Sequence, residues 1–219
     1  MEVRHGTRTV PLGGTKQRAL LADLILNAGR VVPASKLIDD LWGDDPPVTA
    51  AHTLETYVSR IRQALRGAAI EGLQTRPPGY VLIAEPEDVD ALRFEALVAA
   101  ADTAMGRLET EDAAELLGSA LALWRGPALA DVLDMPFIAA SARRLEDLRL
   151  VALEKRIDAD LRAGRHRELV SELESLTAAD PYREPFHKQL ILALYRSGRQ
   201  AESLAAYRRA RDVLADQLG

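Results

Sequence analysis

Along most of the chain apolar residues recur every three or four positions, the rhythm of helices with one buried face. Two stretches break that rhythm. Residues 2–12 alternate weakly around His5-Gly6-Thr7 and predict a short hairpin. Residues 73–83, LQTRPPGYVLI, predict a second hairpin turning at Pro77-Pro78-Gly79. Three helices are predicted between them. The first, 16–28, turns Leu20, Leu21, Leu24 and Ile25 inward, with Thr15 as its N-cap and Gly29 as its stop. The second, 33–42, begins at Pro33 and buries Leu37, Ile38, Leu41 and Trp42 before Gly43. The third, 49–67, carries Leu54, Val58, Ile61 and Leu65 on one stripe, with Tyr57 at its edge.

The far side of the third helix has an unusual composition. Thr49, His52, Thr53, Thr56, Arg60 and Gln63 lie opposite the apolar stripe, flanked by Ser59, Arg62 and Arg66, and Glu55 sits off to one side. Short side chains allow close approach to a DNA major groove, and arginine can fork onto guanine. Alone, the pattern also fits any amphipathic surface helix; its neighbours favour DNA. Three helices followed by a β-hairpin, with a β element in front, is the layout of a winged helix-turn-helix.

Beyond Ala84 the acidic connector Glu85-Pro-Glu-Asp-Val-Asp ends the β character. Helices are predicted over 90–106, 111–125, 136–163, 166–178, 183–197 and 200–217. Gly164-Arg165 and Gly198-Arg199 each divide an outgoing from a returning helix, 34 positions apart, which is the tetratricopeptide period. Ile157 and Ile191, and Val170 and Leu204, keep that register. Trp124 and Tyr195 are expected in the core, and Arg208, Arg209 and Arg211 on a solvated face. The fold class is therefore mainly α with a small β component. Residues 1–84 would form a winged-helix DNA-binding domain and residues 85–219 an all-α, tetratricopeptide-like domain.

Charge sharpens the division. The net charge of −5 separates into 10 Lys/Arg against 8 Asp/Glu in residues 1–84, and 18 against 25 in residues 85–219. Phosphate attraction depends on the local field, and Arg60, Arg62, Arg66 and Arg76 are clustered in the basic part. There is no cysteine, hence no disulfide framework or thiolate metal site, and no apolar run of membrane-spanning length. A cytoplasmic, nucleoid-associated protein with no membrane partner is expected.

Catalytic motifs are lacking. His5, His52, His166 and His187 show no metal-binding spacing, no GxSxG or GxGxxG occurs, and Gly13-Gly14-Thr15-Lys16 lacks the spacing of a phosphate loop. Asp39-Asp40 and Asp44-Asp45 are adjacent pairs, not an acid and a base held across a cleft. No enzyme activity, cofactor or metal is expected.

The stretches PLGGTKQRALLADLILNAGRVV, LIDDLWGDDPP, HTLETYVSRIRQAL and TRPPGYVL closely resemble the DNA-binding domain of the Streptomyces antibiotic regulatory protein family. These are activators with an OmpR-type winged helix. LALWRGPALAD and HKQLILALYRSGRQAESLAAYRRARDVL resemble that family's bacterial transcriptional activation domain. The resemblance implies that 49–67 is the recognition helix, with Arg60 and Arg62 matching the family's V-S-R-x-R arginines. It makes 73–83 the wing, with Arg76 meeting a phosphate or the adjacent minor groove, and brings Lys16 and Arg18 to the DNA backbone. For Lys16 and Arg76 solvated surface charge is the plain alternative, and His52 reads equally as a surface histidine.

In OmpR-type domains the loop equivalent to Gly43–Val48 faces RNA polymerase, which assigns Asp44 and Asp45 to a polymerase contact; a solvated connector is the other reading. The family further implies activation of antibiotic biosynthesis genes, promoter direct repeats bound by a head-to-tail homodimer, and RNA polymerase holoenzyme as partner. Members usually carry one more strand before Glu2 and one more helix after Gly219, so a fragment of a longer protein is expected. The competing class is a protein-interaction scaffold built from the same two domains.

Overall fold

The computed structural model describes residues 2–5, 8–68, 70 and 72–218, so the predicted first turn at Gly6-Thr7 lies outside the described residues. The chain divides into two compact units. One comprises Met1–Arg93 with Trp124–Asp147, the other Phe94–Leu123 with Leu148–Gly219. The partition does not follow a single cut at residue 84, because 124–147 cluster with the N-terminal part.

The first unit opens with strands β1 (Val3–His5) and β2 (Arg8–Val10), paired antiparallel. Helix α1 is Thr15–Leu26, α2 Ala34–Trp42 and α3 Ala50–Gly67. Thr15 is the first helical residue rather than the cap; Gly14 holds the N-cap position without a side-chain bond. Pro33 is likewise outside its helix, because Val32–Pro33 form a short strand, β3. The wing strands β4 (Leu73–Arg76) and β5 (Gly79–Leu82) complete a three-stranded sheet of order β3-β5-β4. Val32 pairs with Tyr80, and Thr75 pairs with the same Tyr80 from the other side. Gly79 is required by close approach: a Cβ there would lie 1.9 Å from the Val32 carbonyl oxygen.

The apolar stripes of the three helices meet as expected, with Leu20, Leu24, Leu37, Leu54 and Ile61 fully buried. Burial of such side chains contributes about 1.5–3 kcal/mol each. Two further members of this core come from the downstream segment, Val132 in a 3-10 turn at Ala130–Val132 and Ile138 near the start of α6 (Pro136–Arg162).

The second unit takes in most of α4 (Asp90–Gly106), α5 (Thr110–Leu121) and the rest of α6, with α7 (His166–Ala179), α8 (Glu184–Arg196) and α9 (Gln200–Leu218). Its period of 34 residues is written in the main chain. Gly164 and Gly198 both take positive φ, at 85° and 81°. Arg165 N–H donates to the Asp160 carbonyl and Arg199 N–H to the Leu194 carbonyl, both at 3.0 Å. The side chains keep the period only in part. Leu161, Val170 and Leu173 are buried, whereas their counterparts Tyr195, Leu204 and Tyr207 are 56%, 60% and 56% exposed. Tyr195 is therefore not a core residue. In the first repeat α8 packs against α7, whereas in the second the corresponding positions stay open among the described residues.

Candidate nucleic-acid interface

Helix α3 presents to solvent the side that the sequence picks out. Thr49, His52, Arg60, Gln63 and Arg66 are exposed, while Thr53 and Thr56 are half-buried. The Thr56 hydroxyl donates to the His52 carbonyl at 3.0 Å, so its proton is used within the helix and only its lone pairs face outward. His52 Nδ1 lies 3.8 Å from a Glu55 carboxylate oxygen, both side chains being well exposed. An open polar hollow lined by Ser59, Arg62, Gln63 and Arg66 runs along the C-terminal half of the helix.

The basic residues separate into two groups. Arg60, Arg66 and Arg76 are exposed and form no ion pair among the described residues. Their charge is available to an external anion. Lys16, Arg18 and Arg62 are instead engaged by the protein itself. Lys16 Nζ lies 4.9 Å from the centroid of the Trp42 ring, which stacks on Tyr57 with centroids 6.2 Å apart and planes 6° from parallel. Arg18 donates to the Gly13 carbonyl at 2.8 Å and pairs with Asp131 at 2.9 Å. Arg62 reaches the wing, with Nε donating to the Leu73 carbonyl at 3.1 Å and a terminal N–H to the Thr75 hydroxyl at 2.7 Å. Its guanidinium carbon lies 6.0 Å from the Tyr80 ring centroid. Sequence reasoning missed Thr75, Tyr80, Trp42 and Asp131 as partners, since only the fold brings them to these cations.

Two family models match, the transcriptional regulatory protein C-terminal domain over residues 8–82 and the bacterial transcriptional activator domain over residues 89–219. The regulatory protein DnrI of Streptomyces peucetius is 39% identical, with 98% of this chain aligned to 82% of that protein. The chain belongs to the Streptomyces antibiotic regulatory protein family. Another relative is the regulatory protein AfsR of Streptomyces coelicolor, 45% identical over 96% of this chain and 21% of its own length. A solved structure of Mycobacterium tuberculosis EmbR in complex with a low affinity phosphopeptide superposes with a TM-score of 0.91 at 41% identity, covering 96% of this chain and 56% of that one. The chain thus spans about a fifth of the AfsR length and about half of EmbR. Transcriptional regulation is the activity that these families and names share.

Within this family fold, the loop Gly43–Val48 between α2 and α3 exposes Asp44, Asp45 and the whole Val48 side chain. Its two prolines keep it out of either helix. The histidines do not converge: His52 is exposed, whereas His187 is buried with Nε2 2.8 Å from the Pro181 carbonyl, which makes that nitrogen a donor. No cluster able to hold a metal ion occurs among the described residues, and no helix there is long and apolar enough to cross a membrane.

Proposed function

We propose that this chain is a sequence-specific DNA-binding transcriptional activator of antibiotic biosynthesis genes. It binds promoter direct repeats as a head-to-tail dimer and recruits RNA polymerase. The observation that supports this reading best is the set of cations Arg60, Arg66 and Arg76, without an ion-pair partner among the described residues, on the exposed side of α3 and on the wing, interleaved with Gln63, Thr53 and His52. Unpaired arginines give phosphate attraction, and a helix surface otherwise made of short polar groups can approach base edges. Thr49, Thr53, Thr56, His52 and Gln63 then supply single hydrogen bonds and methyl contacts, Arg60 a bidentate contact, and Arg66 and Arg76 phosphate or minor-groove contacts. Asp44 and Asp45, with Val48 beside them, meet the polymerase.

The test is selection from random duplex DNA at about 150 mM salt, which suppresses much purely electrostatic binding. Enrichment of a tandem repeat with half-sites about one helical turn apart is expected. Failure to enrich any sequence would favour the interaction-scaffold reading.

A further inference from the structure

We infer that Arg62 is a positioning residue: it locks the wing to the recognition helix, so that Arg76 reaches DNA only while the Arg62 lock is closed. The inference rests on the DNA-binding reading and revises the role of one of its arginines. Arg62 projects from α3 and touches both wing strands at positions that are themselves paired. One N–H holds the Leu73 carbonyl and another the Thr75 hydroxyl on β4, while its planar group lies over Tyr80 on β5, the register partner of Thr75. Arg76 follows Thr75 directly and pairs with Gly79 at the end of the wing. The lock therefore sits one residue from the cation it aims.

The chemistry needs arginine. Two N–H groups in a fixed fork can be satisfied together at a carbonyl and a hydroxyl, while the guanidinium stays within cation–π reach of a ring. A lysine keeps the charge but offers one compact ammonium on a longer, flexible stem, which does not reproduce the rigid fork that joins the Leu73 carbonyl to the Thr75 hydroxyl. Half-buried in these contacts, Arg62 differs from its exposed neighbours Arg60 and Arg66, which have no such tie.

The two roles predict different arithmetic. The measurement is dissociation constants of the full chain on its selected duplex at about 150 mM salt, for Arg62→Ala, Arg62→Lys, Thr75→Val, Arg76→Ala and the combinations with Arg76→Ala. With a lock, Arg62→Lys weakens binding as much as Arg62→Ala, by about the same factor as Arg76→Ala, on the order of fivefold. Arg76→Ala then adds less than about twofold in the Arg62→Ala or Thr75→Val background, because the wing contact is already lost. Footprints of Arg62→Lys would lose protection at the wing and keep it at the recognition helix. Full affinity for Arg62→Lys, or factors that multiply in the double variants, would overturn the inference and make Arg62 a direct phosphate contact. Thr75→Val, which leaves every charge in place, keeps the test valid if Arg62→Ala is unstable. A wild-type chain that selects no sequence would instead sink the DNA-binding reading itself.

Discussion

Arg18 in the first turns of α1 pairs with Asp131, more than a hundred residues downstream, at 2.9 Å. The pair sits beside Val132, and with Ile138 this valine enters the core built by α1, α2 and α3. The winged helix of this protein is thus completed by a segment that follows α4 and α5 in the sequence. Arg18 is held by a carboxylate of its own chain.

From this follows a stability prediction. Ile138→Ala removes a fully buried side chain from the winged-helix core and should destabilise that unit by about 2–4 kcal/mol. Arg18→Ala should cost about 1 kcal/mol or less, since the pair is partly exposed. Chemical denaturation followed by the fluorescence of Trp42 and Trp124, both in this unit, checks both. An Ile138→Ala effect below 1 kcal/mol would show that the segment lies loosely on the unit.

Arg60, Arg66 and Arg76 should differ in kind. Arg60→Ala is expected to weaken binding to the selected sequence by about 1–3 kcal/mol while leaving random DNA nearly unaffected. Arg66→Ala and Arg76→Ala should weaken both, each lowering the slope of log K against log salt by about 1. Titrations over a range of salt concentrations on selected and scrambled duplexes separate the cases. Equal losses for Arg60→Ala on both duplexes would make it a phosphate contact.

Asp23, buried on α1, carries a pH signature. Burial, with the neighbouring Asp40 carboxylate adding to it, pushes its carboxyl up to about 6 against the pull of Lys36 and Asn27. Lys36 is itself paired with Asp40. Because the folded pKa lies above that of the unfolded chain, the folded state binds the extra proton between about pH 4 and 6. Ionised Asp23 therefore weakens the fold above pH 6, and this penalty is relieved as the pH falls through that window. Asp23→Asn should remove the difference, so that variant minus wild-type stability is positive at pH 7.5 and shrinks towards pH 4. Denaturant midpoints at several pH values test this; a constant difference would contradict it.

Gly79→Ala should be among the most damaging single substitutions on the wing. The added Cβ would overlap the Val32 carbonyl and crowd Ala34 N, so β3 must move away from β5. A loss of about 2 kcal/mol or more is expected in thermal unfolding. A loss under 0.5 kcal/mol would mean that the sheet edge yields freely.

The sequence alone determined the parts that rest on local periodicity. The stripes of α1, α2 and α3, the Pro77-Pro78-Gly79 turn and the Gly164 and Gly198 breaks are properties of neighbouring residues, and their positions agree with the structure to within a few residues. It also determined which side chains could face outward on α3, since a face follows from the helical repeat. Tertiary structure decided which of the charges find partners within the protein. Lys16, Arg18 and Arg62 look like Arg60 and Arg76 in the sequence, yet Trp42, Asp131, Leu73 and Thr75 claim them across 11 to 113 positions. The two-residue strand β3 and the exposure of Tyr195 were hidden for the same reason. A strand that short exists only through its partner β5, and burial of a repeat position depends on whether another helix lies over it.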